Sequence, residues 1–167
     1  MVKGTEMDFS ALAERHRPEI VAYLTRLLGS AEDAEDVCQD ALLRGFRAAG
    51  RLAAGSNGRA WLYKIATNSA LTFLRRRTRA RARWSTLGLD DVPAPADGGT
   101  EKSAELEAVA RAVERLPPRQ RAALVQRRFH EMGYEEIGAA LGCTPETARA
   151  HVYHAIKKLR RALERSS

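Results

Sequence analysis

Trp61, Lys64, Asn68, Thr72 and Arg75 have the side chains and the spacing to hold a nucleic-acid strand. Steps of three and four residues bring them to one side of a helix. An indole ring stacks on a base, a side-chain amide bonds a base edge, and the two cations pair with phosphates. Trp61 has a plainer alternative as a core residue, since tryptophan usually buries most of its ring. Directly after this stripe, Arg75, Arg76, Arg77, Arg79, Arg81 and Arg83 place six arginines within nine residues. Such a run repels itself unless a polyanion is near.

A second candidate surface lies near the C-terminus. Glu146, Arg149, Ala150, Tyr153, His154 and Lys157 recur at helical spacing, opposite Ala148, Val152, Ala155, Ile156, Leu159 and Leu163. The apolar set predicts a face that packs on the domain. The polar set offers an arginine for guanine edges and a small residue for close approach to a major groove. An ordinary helical hairpin is the alternative. His151 and His154 could bind a metal, but no third ligand stands nearby.

The third surface is acidic. Glu32, Asp33, Glu35, Asp36, Gln39 and Asp40 fall on the polar side of a predicted helix, with Val37, Ala41 and Phe46 expected inward. One reading is a solvated first turn favoured by the helix dipole. The other is a docking face for a basic protein partner.

No Walker loop, GxGxxG, CxxC, HExxH or GxSxG occurs, and no carboxylate cluster has a paired histidine. The sequence therefore predicts no catalysis, no cofactor and no metal. The two cysteines, Cys38 and Cys143, make neither a disulfide framework nor a zinc knuckle. No apolar run approaches 18 residues and no apolar segment marks a secretory signal. A cytoplasmic protein without membrane insertion is the expectation.

The elements that must position these surfaces are helices. Alanine and leucine far outnumber valine and isoleucine, which favours an all-α fold. Helices are predicted at 8–28, with Asp8 as N-cap and Pro18 as a break or kink, at 31–49 after the Ser30 cap, and at 60–83. Leu62, Ile65, Ala66, Ser69, Ala70 and Phe73 should form the core side of the third. Four more follow: one ending at Leu116, one running to about His130, one at 134–141, and one opened by Thr144 and Pro145. The last two, joined across Gly142-Cys143, read as a helix-turn-helix.

Charge divides the chain of 167 residues and net charge +7. Residues 1–30 are neutral, 31–50 carry −3, 51–84 carry +9, 85–107 carry −5, 108–133 carry +4 and 134–167 carry +2. Two mostly basic small helical domains, 8–84 and 104–165, are thus predicted either side of a flexible acidic linker, 85–103, rich in proline and glycine. Few contacts between the two are expected, with first proteolytic cleavage between about Leu87 and Lys102.

Three stretches in order, DAEDVCQDALLRGFRA (33–48), NGRAWLYKIATNSALTFLRRR (57–77) and LPPRQRAALVQRRFHEMGYEEIGAALGCTPETARAHVYHAIKKLRRAL (116–163), resemble the extracytoplasmic-function group of bacterial RNA polymerase sigma factors. The resemblance implies a sigma-2-like domain and a sigma-4-like helix-turn-helix domain that together direct promoter-specific initiation. Asp36, Gln39 and Asp40 would face the β′ clamp of core RNA polymerase, and the second domain would meet the β flap. Leu52, Asn57, Trp61, Lys64, Asn68, Arg75 and Arg76 would bind the minus-ten element, Asn68 and the 52–57 loop receiving a flipped base. Arg149, Ala150, Tyr153, His154 and Lys157 would meet the minus-thirty-five duplex. Promoter DNA, core polymerase and an anti-sigma factor are the implied partners, and the acidic linker would run through the polymerase cleft. The end at Ser167 implies that the extra C-terminal domain of some subgroups is absent.

The chain departs from the family pattern at Thr72, often Asp or Asn, and at Thr67, often basic. His151 and His154 replace frequent arginines, and Gly133 replaces a Ser/Thr cap. A decoy that sequesters an anti-sigma factor without binding DNA is the rival reading; it should have lost the +9 of residues 51–84. A recombinase would need a nucleophile and acid cluster that the first domain lacks.

Overall fold

The computed structural model describes residues 8–52, 55–88 and 101–166. They form α1 (Phe9–Leu28), α2 (Ala31–Ala48), a short 3-10 turn (Ala49–Arg51), α3 (Gly58–Thr86), α4 (Glu101–Glu114), α5 (Pro118–Phe129), α6 (Tyr134–Leu141) and α7 (Pro145–Ser166). Among the described residues there is no strand, and no helix is long and apolar enough to cross a membrane. The fold is all-α, as the composition predicts. Helices enter the expected linker from both sides, and residues 89–100 lie outside the described set.

Local chemistry sets the helix ends. Asp8 accepts from the Ser10 and Ala11 amides, Ser30 from Asp33 and Asn57 from Ala60, each satisfying a donor that the first turn leaves free. Gly29 closes α1 at φ 76°, a conformation that glycine adopts without a Cβ clash. Pro18 neither breaks nor ends α1. It sits on the exposed side of the helix.

The first body is the α1–α2 hairpin crossed by α3. Ile20, Tyr23, Leu24 and Leu27 meet Val37, Cys38 and Ala41 of α2 and Leu62, Tyr63, Ala66 and Ala70 of α3. The α3 core side is shifted from the predicted one. Tyr63, Thr67 and Leu74 are buried, while Ile65 and Phe73 are only half-buried. Phe46 is not inward: it is 67% exposed. At 100° per residue it points opposite Val37, and Gly45 takes the inner position. A Cβ there would come within 2.9 Å of the Phe9 ring.

In the second body α5, α6 and α7 pack together, with α4 against α7. The two bodies do not stand apart. α3 packs on α6 and α5, and α1 on α5, and one apolar cluster runs through both. The expectation of few contacts came from the composition of the tether. The tether carries no information about the faces of α1, α3 and α5, and it is those faces that close on each other.

Candidate functional site

Three surfaces emerge. On α2, Asp36, Gln39 and Asp40 are all exposed, and Asp40 pairs with Arg44 at 3.0 Å. Leu43 and Phe46, also exposed, continue the same stripe. Sequence reasoning missed these two. Their helical angle held the signal, since each lies three or four residues from another member. The face can therefore offer acid and apolar area together, a combination suited to a protein surface.

The second surface follows α3. Lys64, Asn68, Arg75 and Arg76 are exposed, whereas Trp61 is half-buried and edge-on to Phe9 at 6.2 Å. Asn57 is exposed and its side-chain oxygen caps α3 at 3.1 Å from the Ala60 amide. Leu52 is half-buried beside it and shares a groove with Trp61 and Lys64. The Thr72 hydroxyl donates to the Asn68 carbonyl and receives a long 3.4 Å bond from Arg75. Arg77 leaves the arginine run. It turns inward over the Phe73 ring and donates to the Leu28 carbonyl at 3.3 Å, with Asp33 at 4.0 Å. Four arginines, at 76, 79, 81 and 83, stay exposed alongside Arg75.

The third surface is the outer side of α7. Arg149, Ala150, Tyr153, His154 and Lys157 are exposed, and the Tyr153 and His154 rings meet edge-on at 5.5 Å. Ala148, Val152 and Ala155 are buried on the opposite side, while Ile156 is 38% exposed. α7 is set by its turn. Gly142 takes φ 68°, and the Thr144 hydroxyl accepts from the Thr147 amide at 3.1 Å. α6 lies so close to this turn that a Cβ on Gly138 would sit 2.7 Å from the Cys143 carbonyl oxygen. His151 is half-buried and its proton affinity is lowered, first by burial and then by Arg119. No cluster of metal-ligating groups occurs among the described residues.

Between the bodies lies a polar seam that sequence reasoning did not foresee. Arg59 bonds both Glu19 carboxylate oxygens, reaches Glu136 at 3.1 Å and donates to the His130 carbonyl at 3.0 Å. Tyr63 also donates to Glu19, at 2.8 Å. Burial alone would raise the Glu19 carboxyl; the bonds from Arg59 and Tyr63 outweigh it and hold the group below its ordinary value. Arg121 donates to the Leu27 carbonyl at 3.1 Å and to those of Glu114 and Leu116. Tyr23, Thr67 and Gln126 meet with no solvent exposure. Burial pushes the Tyr23 phenol up to about 12. Thr67 is thus inside the seam and not on the exposed α3 stripe.

Comparison with known proteins follows these surfaces. Residues 12–80 match Sigma-70 region 2, which holds α3 and its stripe, and residues 106–159 match Sigma-70 region 4, which holds the helix-turn-helix. The chain is 34% identical, over 96% of its length, to the ECF RNA polymerase sigma factor SigE of Mycolicibacterium smegmatis, and spans 63% of that protein. It is 30% identical, over 92% of its length, to the ECF RNA polymerase sigma-E factor of Escherichia coli K12, and spans 85% of that protein. Among solved structures, the sigma factor RpoE from Bartonella quintana, in complex with the anti-sigma factor NepR, superposes with a TM-score of 0.69 at 26% identity. That match covers 94% of this chain and 97% of the other. With both regions in order and whole-chain relatives at this identity, the chain belongs to the ECF group of RNA polymerase sigma factors.

Proposed function

We propose that this chain directs core RNA polymerase to promoters in the cytoplasm, without a catalytic step of its own. The α2 stripe of Asp36, Gln39, Asp40, Leu43 and Phe46 docks on the β′ clamp, and the second body meets the β flap. The outer face of α7 reads the minus-thirty-five duplex: Arg149 takes a base edge, and Tyr153, His154 and Lys157 reach neighbouring bases and phosphates. The α3 face, with Leu52, Asn57, Trp61, Lys64 and Asn68, receives the opened minus-ten strand, and Arg75 and Arg76 hold its phosphates. An anti-sigma factor is a further partner, as NepR is for its RpoE.

The observation that carries this function is the α7 face. Five side chains suited to a groove stay exposed on a helix whose entry is fixed by a close-packed turn. The decoy reading gains nothing from the structure, since the basic residues of α3 and α7 are largely exposed. Run-off transcription with core polymerase on a promoter library tests the function. Discrete transcripts that share a two-part motif are expected; none above core polymerase alone would refute it.

A further inference from the structure

A groove of about 490 Å³ runs along the line where the two bodies meet. Asn68, Leu71, Thr72 and Arg75 of α3 form one wall. Pro117, Pro118 and Arg119, at the start of α5, form the other. The volume is that of a small-molecule site. Its charge is of one sign. Arg75 and Arg119 are exposed, and no carboxylate is among the described residues that line the groove. Neither arginine has an ion-pair partner among the described residues. A concave surface lined by one sign of charge concentrates the field and draws a counter-ion.

Both guanidiniums are held in place. Arg119 Nη1 donates to the Leu141 carbonyl at 2.7 Å, and Arg75 Nη2 donates weakly to the Thr72 hydroxyl at 3.4 Å. Each has further N–H groups to offer, in the planar fork that fits a phosphate. The rest of the groove suits what a phosphate chain carries. Leu71, Pro117 and Pro118 give apolar surface for a flat ring. The exposed Asn68 amide has both a donor and an acceptor for a base edge. An inorganic anion would use the arginines and leave that surface to water.

We propose that this groove binds a nucleoside polyphosphate: Arg75 and Arg119 clasp the phosphates, and the base lies against Leu71, Pro117 and Pro118 with Asn68 at its edge. Two arginines call for at least two phosphate groups, since each forks onto one. The site is separate from the promoter reading. It needs the corner of α5, which that reading leaves unused, and its test needs no promoter.

The full chain is titrated against ATP that carries a fluorescent methylanthraniloyl group on its ribose. Saturable binding at one site per chain is expected, reversed by unlabelled ATP. Inorganic triphosphate should compete about fivefold less well, because it forgoes the apolar surface. Arg75→Ala and Arg119→Gln should each weaken binding about tenfold, the weight of one charge-assisted phosphate contact, with unchanged circular dichroism. Arg161→Ala removes an exposed cation from α7 and should leave affinity unchanged. Binding that does not saturate overturns the site, as does full affinity in either Arg75→Ala or Arg119→Gln. An equal loss in Arg161→Ala reduces the binding to general attraction by a basic chain. Inorganic triphosphate as strong as ATP overturns the nucleoside. Single-stranded DNA that displaces the label more tightly than ATP, with the same dependence on Arg119, makes the groove a strand site and overturns the nucleotide.

Discussion

Gly138→Ala is a direct test of the packing that aims α7. The new methyl carbon would meet the Cys143 carbonyl oxygen at 2.7 Å, Thr144 at 3.2 Å and the Pro145 nitrogen at 3.3 Å. All three are backbone atoms of the turn, so no side chain can swing aside. Overpacking of this kind costs about 1–3 kcal/mol, and the absence of a flexible neighbour puts this site in the upper half of that range. Alanine in place of glycine within a helix returns about 1 kcal/mol. The net expectation is a loss of about 1–2 kcal/mol in urea unfolding with an unchanged denaturant slope. Because Thr144 and Pro145 begin α7, the shift should also weaken binding to the minus-thirty-five duplex. Gly50→Ala is the control, since a Cβ there meets nothing within 4 Å and its φ is not in the left-handed region. It should change stability by no more than about 0.5 kcal/mol. A Gly138→Ala chain as stable as the original would show that the turn yields freely and that α6 does not fix the direction of α7.

Three further outcomes are expected. Reversing Asp36 and Asp40 to lysine should weaken competition for core polymerase while leaving the helical signal intact, and Phe46→Ala should add to the loss; undiminished affinity would remove α2 as the dock. Arg149→Ala should lose about 1–3 kcal/mol of discrimination at one or two minus-thirty-five positions. Arg76→Ala should weaken all promoters alike with a shallower salt dependence, and Asn68→Ala should impair opening, rescued on a pre-melted template. The same promoter-independent loss in all three would merge reader, clamp and base pocket into one basic surface. His130 is held below its ordinary value of 6.5, first by burial and then by Arg26, against the pull of Glu19. A histidine kept neutral in the fold binds its proton more readily when unfolded, so stability is full above about 6.5 and falls as pH drops below it. Urea unfolding at pH 7.5 and 5.5 should show that decline, and His130→Gln should shrink it; an equal decline in the variant would acquit His130.

The helices were legible because their punctuation is local. Asp8, Ser30, Thr144 and Pro145 cap or open helices through contacts a few residues long, and Gly29 and Gly142 close them. The three candidate faces were legible because side chains three and four apart must share a side. What escaped depends on distant partners. Tyr23, Thr67 and Gln126 each read as ordinary members of their own helix, and only the docking of α3 on α5 and α6 brings them together. Arg77 looks like its neighbours in the run, but its reach to the Leu28 carbonyl depends on where α1 ends in space. Phe46 was a different kind of miss. Its hydrophobicity argues for burial, but its helical angle places it outside.

The length of α3 sets the reach of the protein beyond its own body. Leu74 is its last buried residue, and the helix continues to Thr86. At 1.5 Å per residue this projecting arm is about 18 Å long. It carries Arg75, Arg76, Arg79, Arg81 and Arg83, with exposed Trp84 and Leu87 at its tip. One nucleic-acid strand rises about 3.4 Å per nucleotide, so the arm is about as long as five phosphates, and Arg75, Arg76, Arg79 and Arg83 share one side of it. On the proposed function, its footprint extends roughly half a helical turn past the base pocket, and shortening the arm would shrink the protected length of DNA without altering which bases are read.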